Sequence, residues 1–361
     1  MSDGELTADD VPALTAGAML YSPSLAPSSL AATVAWLTDL LERGGPLRLM
    51  APRALPPDVG CAAVCVIGSG AALADLPPTG DEFVAAVREL ERLSGREVGA
   101  VLPLSAATVS ALVPAAVACQ LGVPLLDADG MGRTFALIHH TSMHLAGLPV
   151  TPLVVAGATG ESISLRVPDA WRADALLRAG IDALGGWGAL AAYPSTAGEL
   201  ATASLPGTVS RLVEAGRVLL GTRDPDAVVA RLAAVNGCRR VGRGRIVALE
   251  HLSRPTDATI PTHPSSVVVE QVGPDARQLR LELRSEVVAV FSDGSLTAAA
   301  PDLITLLDVE RGVIAPLDSL WPGDLVDVLV IPAHPVWYSA EALTMVGPAS
   351  HGITLDHPRR R

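Results

Sequence analysis

The chain has 361 residues, 49% of them hydrophobic, and a formal net charge of −12 at pH 7. This length and hydrophobic content predict a globular protein with room for two domains, and the acidic balance argues against a nucleic-acid-binding surface. All 26 basic residues are arginine, which excludes enzymes that need a catalytic or phosphate-binding lysine.

Four cysteines stand in apolar surroundings without paired metal or redox spacing, and they predict buried, reduced thiols. The sequence opens without the pattern of a secretory signal, and no apolar run reaches the roughly 18 residues that a membrane span needs. We therefore expect a cytoplasmic protein with a small-molecule ligand and neither nucleic-acid nor membrane partners. The sequence allows a homo-oligomer but does not require one.

Short apolar segments alternate with helical patterns over residues 1–240. Candidate strands lie at 47–50, 62–67, 98–102, 123–126, 150–155 and 162–167, and candidate helices at 7–19, from Ser28 or Ser29 to 44, at 81–93, from Ser105 to 121, and at 170–183, 208–219 and 226–235. This alternation predicts an α/β domain with a parallel or mixed sheet flanked by helices.

The pattern changes after Gly237 to short β-rich runs separated by Gly, Pro and Asp turns. These runs cover residues 241–250, 266–272, 278–283, 286–291, 303–308 and 324–331, and Ser292-Asp293-Gly294-Ser295 is typical of a hairpin turn. We predict a second, mainly β domain at 241–361, after an α/β domain at 1–240.

A glycine pair, Gly68-Ser69-Gly70, follows one candidate strand and is similar to part of a dinucleotide-binding fingerprint. That fingerprint requires a helix directly after the glycines, and Pro77-Pro78 interrupts the chain there. We interpret the glycines as a tight turn that contacts no dinucleotide.

The densest polar cluster follows the apolar run that ends at Leu126. We call residues 127–133, Asp127-Ala128-Asp129-Gly130-Met131-Gly132-Arg133, the acidic loop. Ligands of parallel sheets bind beyond the carboxyl ends of strands, so this loop is the predicted site. The predicted catalytic residues are Asp127, Asp129 and Arg133, and the predicted substrate-binding residues are Gly130, Met131, Gly132 and Thr134. In the alternative interpretation Asp129 caps the turn, Asp127 accepts backbone N–H bonds and Arg133 forms a structural ion pair.

His140 and His144 lie four residues apart, a spacing that places both on one face of a helix and is typical of metal-binding pairs. Divalent zinc is the metal that such a pair would hold. Thr141 occupies the position where zinc proteases have their glutamate, so that enzyme class is excluded. His139 is expected to point elsewhere, and a surface or core histidine pair is the structural alternative.

The stretch Leu121–Arg133 resembles the signature of the S-methyl-thiohydantoin desulfurase-like family. Further pieces in the family's order are Leu6–Leu20, Gly207-Thr208-Val209-Ser210, Gly242–Val247, Pro301-Asp302-Leu303-Ile304 and Val346-Gly347-Pro348. The resemblance spans nearly the whole chain. It implies hydrolytic chemistry on a small five-membered cyclic amide of the hydantoin type.

The chain also departs from the family pattern. Leu104-Ser105-Ala106-Ala107 stands where a Glu-Ile-Gly-Gly stretch is usual, and further departures fall at Tyr21–Ser24, Thr259–Thr262 and Ser285-Glu286. Two hypotheses follow from these departures. One is a hydrolase-like enzyme that uses the acidic loop, and the other is a binding or regulatory protein that keeps the fold without the chemistry.

Overall fold

The structure is a computed structural model that describes residues 4–22, 30–250, 265–273, 276–284 and 286–358, without the side chain of Ala71. Some sequence features lie outside the described residues: the Ser28 or Ser29 helix cap, Pro23-Ser24, Thr259–Thr262, Ser285 and the last three residues, Arg359-Arg360-Arg361. The chain divides into two compact units. The first contains the described residues up to Ala18 and from Leu30 to Val213, and the second contains Met19 to Ser22 and the described residues from Glu214 onward.

The first unit alternates strands and helices. Its strands are β1 Gly4–Leu6, β2 Leu47–Met50, β3 Gly60–Gly68, β4 Ala100–Pro103, β5 Leu125–Leu126, β6 Ala128–Asp129, β7 Leu153–Ala156, β8 Ser162–Leu165, β9 Trp187–Thr196 and β10 Leu205–Pro206. Its helices are α2 Ala31–Gly44, α3 Gly70–Asp75, α4 Asp81–Ser94, α5 Val109–Leu121, α6 Ser142–Leu145, α7 Ala170–Ile181 and α8 Ala197–Ala203, together with most of α1 Val11–Leu20 and the first part of α9 Thr208–Gly221, the two helices within which the chain passes between the units.

Eight of these strands form one mixed sheet in the order β1-β2-β5-β4-β3-β9-β7-β8, and β6 pairs with β10 in a separate short ladder. The neighbours β2, β5, β4 and β3 run parallel, whereas β9 is antiparallel to both β3 and β7. In β3 the run from Cys61 to Cys65 is buried throughout, as expected for a strand covered by helices on both faces. Helix α5 packs against β3 and β4, and α4 packs against β7 and β9. The predicted α/β architecture is confirmed in its mixed form.

Two local predictions in this unit are wrong. The sequence predicted that Pro77-Pro78 would prevent a helix after the glycine pair, but the short helix α3 forms there and ends before the prolines. The Ser69 hydroxyl caps this helix by accepting the Ala72 N–H. The helix expected to begin at Ser105 begins instead at Val109. Its first four expected residues form a loop, and Thr108 adopts a positive φ of 43° at the helix entrance.

The second unit is mainly antiparallel β. It contains α10 Pro225–Asn236, β11 Arg239–Glu250, β12 Ser266–Gln271, β13 Gln278–Leu283, β14 Val287–Ser292, β15 Ser295–Ala299, β16 Leu303–Asp308, β17 Val313–Ile314, β18 Leu325–Ile331 and α11 Ala340–Val346. Its strands form one sheet in the order β15-β14-β13-β12-β11-β18-β16-β17. The hairpin turn is confirmed, since Asp293 and Gly294 both have positive φ values of 46° and 81°.

The core of the second unit comes from alternate strand positions. In β13, Leu279, Leu281 and Leu283 are buried while Gln278 and Arg280 face solvent, which is the pattern of a sheet with one buried face. All four cysteines of the chain are free thiols, and all are buried except the half-buried Cys119. No helix in the described ranges has the length and apolar character to cross a membrane.

Candidate functional site at the strand ends

The acidic loop lies where three parallel strands end side by side. The Asp127 N–H donates to the carbonyl of Met50, the last residue of β2, at 2.8 Å. The Gly130 N–H donates to the carbonyl of Leu104, which directly follows β4, at 3.1 Å. The loop itself follows β5. The carboxyl ends of β2, β4 and β5 therefore meet at this loop, as expected for the ligand side of a parallel sheet.

Asp127 fixes the beginning of α9. Its carboxylate accepts the Ser210 N–H at 3.0 Å and the Ser210 hydroxyl at 2.6 Å, and its carbonyl accepts the Gly207 N–H at 2.8 Å. A carboxylate at a helix N-terminus satisfies otherwise unpaired N–H groups and interacts favourably with the helix dipole. Asp127 is only 4% exposed, so this capping role occupies a buried side chain.

Asp129 holds two loops together. One carboxylate oxygen accepts the Ala106 N–H at 2.6 Å, and both oxygens lie 2.9 Å from the Gly132 nitrogen. Gly132 can present this N–H because it has a φ of 71°, which is unfavourable for residues with a side chain. The loop that replaces the expected first turn of α5 is thus fixed by Asp129. For both acids, these hydrogen bonds are those of the structural alternative.

Burial dominates the ionisation of Asp129. The side chain is completely buried, and this burial raises its pKa from 3.8 to about 7, against the opposing effects of the Ala106 and Gly132 N–H groups and of the Arg211 charge. Perturbed carboxyl groups of this kind occur often at functional sites, although structural sites contain them too.

The raised pKa predicts how stability depends on pH. The unfolded chain ionises Asp129 near pH 3.8 and the folded chain near pH 7, so the folded state holds the extra proton between these values. The contribution of Asp129 to stability is complete below pH 3.8 and is lost as the pH rises through about 7. Asp129→Asn cannot titrate at this position. We therefore expect the difference in Tm between the wild type and this variant to become smaller as the pH rises from 3.8 to about 7. A constant difference in parallel thermal melts would contradict the assignment.

The remaining residues of the predicted site pack closely around the acids. A Cβ atom on Gly130 would lie 2.8 Å from the Met143 Cε atom and 3.0 Å from the Thr141 Cβ atom, so glycine permits a close approach there. The Met131 sulfur accepts the Phe135 N–H at 3.4 Å. Arg133 is 2% exposed, and its guanidinium carbon lies 5.1 Å from the centroid of the Phe135 ring.

The histidines are brought together, but not on one helix face. Helix α6 has four residues and begins at Ser142, so His144 lies on it while His140 precedes it. The expectation that His139 points elsewhere is also wrong. The His139 ring centroid lies 4.9 Å from that of His140 and 5.6 Å from that of His144. Within the described residues, no three His, Cys, Asp or Glu side chains are arranged to hold a metal ion.

Residues far along the chain hold this histidine segment, residues 134–144, in its irregular conformation. The Tyr193 hydroxyl donates a hydrogen bond to the Ile138 carbonyl at 3.1 Å and accepts one from the Thr141 hydroxyl at 3.0 Å. Asp174 accepts the Ile138 N–H, and Arg178 donates to the Ala136 carbonyl. Sequence reasoning missed all three of these residues. Tyr193 is fully buried with a φ of 52°, a strain that a local sequence pattern does not reveal.

The histidine segment contacts the acidic loop directly. The Ser142 N–H donates to the Gly130 carbonyl at 2.7 Å. The Phe135 ring, which faces Arg133, lies 6.4 Å from the His140 ring in an edge-on arrangement. Aromatic contacts thus run from the buried arginine to the histidine cluster.

A mixed α/β sheet with a polar loop at its parallel strand ends, followed by a mainly β domain, defines a two-domain α/β protein. Sequence profiles of the N-terminal and C-terminal domains of S-Me-THD-like proteins match residues 9–167 and 167–359. The chain therefore belongs to the S-Me-THD-like family.

A solved structure supports the fold. The X-ray crystal structure of a protein from Chromobacterium violaceum superposes with a TM-score of 0.81 at 21% sequence identity, covering 99% of each chain. At this identity the likeness shows the fold alone. A search of curated proteins gives no match.

Proposed function

We propose that the protein is a hydrolase-like enzyme that acts on a small hydantoin-type cyclic amide or a related heterocycle at the acidic loop. The observation that supports it most is the position of this loop, at the joined carboxyl ends of β2, β4 and β5, in a chain that belongs to the S-Me-THD-like family. Family membership suggests the substrate class, and the strand ends supply the polar groups.

In this proposal, some residues at the acidic loop fix its conformation and others contact the ligand. Asp127 and Asp129 act chiefly through the backbone groups that they hold. Arg133 supplies a buried positive charge that can bind and polarise a ring carbonyl. The Thr134 hydroxyl is buried and has no hydrogen-bond partner among the described residues, so it is available to a ligand.

The proposed reaction needs water as its only second reactant. Water adds to a ring carbonyl carbon, the bond from that carbon to the ring nitrogen breaks, and the proton released from water goes to the nitrogen. Arg133 stabilises the negative charge that develops on the carbonyl oxygen. No step passes through a metal ion, and the predicted zinc role of His140 and His144 remains a separate proposal.

Ring opening can be measured by mass spectrometry as the gain of one water by hydantoin or by S-methyl-thiohydantoin. We expect Arg133→Lys to lower kcat/KM by about 10-fold to 100-fold, because lysine keeps the charge but loses the planar donor set. Arg311→Lys, a 75% exposed side chain in the second unit, is the matched control and should keep full activity. Equal activities in the two variants would refute the role of Arg133, and intact rings with the wild type would refute the hydrolysis.

A second candidate is a binding protein that keeps the fold without catalysis. The observation that favours it is the stretch Leu104–Ala107, which stands where similar proteins have a glutamate and two glycines. Leu104, Ala106 and Ala107 are buried, so no acidic side chain enters the site from the end of β4. Saturable hydantoin binding without ring opening would establish this second function.

A further inference from the structure

The strongest unexplained feature of the site is the environment of His139. Its ring is surrounded by the rings of His140 and His144 and by the indole of Trp171, whose centroid lies 4.4 Å away. The imidazole is 1% exposed. A buried polar ring of this kind normally has hydrogen-bond partners for its nitrogens.

His139 lacks such partners within the described part of the chain, where neither ring nitrogen forms a hydrogen bond. A neutral imidazole ring offers one N–H donor and one nitrogen acceptor. A buried donor and acceptor without partners destabilise the fold, which is expected where a ligand completes the site.

Trp171 covers this imidazole from the solvent side. It lies in the first turn of α7, beside the helix cap Asp169, and is 60% exposed. Most of the Trp171 side chain is exposed to solvent, so a change of its rotamer can open His139 to a ligand. After this rotation the indole offers a large flat surface beside His139 on which a planar ring can stack.

We propose that His139 and Trp171 form the binding site for the ring of the ligand, a small planar heterocycle with amide N–H and C=O groups. The ring stacks on the indole of Trp171, and its amide edge pairs with the unpartnered nitrogens of His139. This inference rests on the proposed function for the choice of hydantoin as the ring. The carboxylate oxygens of Asp127 and Asp129 accept hydrogen bonds within the protein. The inference therefore places the ligand ring against the histidine segment rather than against these two acids.

The critical variant is His139→Leu, which keeps a similar volume and removes both polar atoms. Because those atoms lack protein partners, we expect its Tm to equal or exceed that of the wild type. Its affinity for hydantoin, measured by titration calorimetry, should fall about 10-fold or more. A histidine with a purely structural role would show the opposite, a lower Tm with unchanged affinity, and either half of that result would overturn the proposal.

Trp171→Ala tests the stacking surface, and Trp321→Ala is its matched control, since Trp321 is 71% exposed in the second unit. Hydantoin should change the tryptophan fluorescence of the wild type and of Trp321→Ala, and should leave that of Trp171→Ala unchanged. A fluorescence response that persists in Trp171→Ala, or the absence of any hydantoin binding, would overturn the site.

Turnover measured on the same samples separates this inference from the proposed function. Hydantoin binding that requires His139 and Trp171 but leads to no ring opening would support this site and refute the hydrolysis. Ring opening at the wild-type rate and KM in both His139→Leu and Trp171→Ala would refute this site and support the hydrolysis.

Discussion

Replacing Asp129 with asparagine should lower the free energy of unfolding at pH 5, where the contribution of Asp129 is still present, by about 2–4 kcal/mol. The two carboxyl oxygens accept backbone N–H groups, among them those of Ala106 and Gly132. One of these oxygens accepts from both Ala106 and Gly132, so an asparagine oxygen in its place keeps those bonds. The NH2 group then replaces the other oxygen, which lies 2.9 Å from the Gly132 nitrogen, and two buried donors face each other. Chemical denaturation followed by circular dichroism measures the change.

Asp127→Asn, two residues earlier in the same loop, is the matched control. Its partners are the N–H and the hydroxyl of Ser210, and a hydroxyl can accept as well as donate. Asparagine can therefore keep both bonds, and the loss of charge at the start of α9 should cost only about 0.3–1 kcal/mol. If the two variants are equally stable, the structural role assigned to Asp129 is wrong.

In the second unit, Asp327→Asn should be destabilising by about 3–5 kcal/mol. Asp327 is completely buried and accepts from the Arg243 Nε atom at 2.7 Å and from the Arg240 guanidinium at 2.8 Å. Asparagine leaves two guanidinium groups, about a quarter exposed, without their buried counter-charge. Chemical denaturation measures this change as a shift of the unfolding midpoint to a lower denaturant concentration.

Asp226 provides the internal comparison, because it pairs with the same two arginines from the surface. It lies 2.6 Å from Arg240 and 3.0 Å from Arg243, but its side chain is 64% exposed. Water replaces an exposed partner readily, so Asp226→Asn should leave the denaturation midpoint almost unchanged. A large loss in this variant would show that surface charge, rather than the buried carboxylate, stabilises the cluster.

The main elements could be predicted because their signals are local. The apolar runs at 47–50 and 62–67 lie within or coincide with β2 and β3, and the helix predicted at 81–93 corresponds to α4. Strand β1, with three residues, carries too short a pattern to detect. The antiparallel placement of β9 between β3 and β7 is set by pairing with distant segments, which the local sequence does not encode.

The position of the acidic loop could be predicted from the sequence, but its contacts could not. Two acids after a buried strand correctly indicated the strand ends, yet the spacing could not show that Ala106 and Ser210 would occupy their oxygens. The expected helix through His140 failed for a similar reason. Tyr193 and Asp174, distant in sequence, bind the backbone and side-chain groups of the histidine segment and hold it in an irregular conformation.

The most direct test of the central claim, that the acidic loop and the histidine segment form one ligand site, is a crystal structure of the protein soaked with hydantoin. We predict electron density for the ring against Trp171, within hydrogen-bond distance of His139 and on the side of the segment that leads to Arg133. Density for the ring in the second unit, with the Trp171 and His139 side chains unchanged, would contradict the claim.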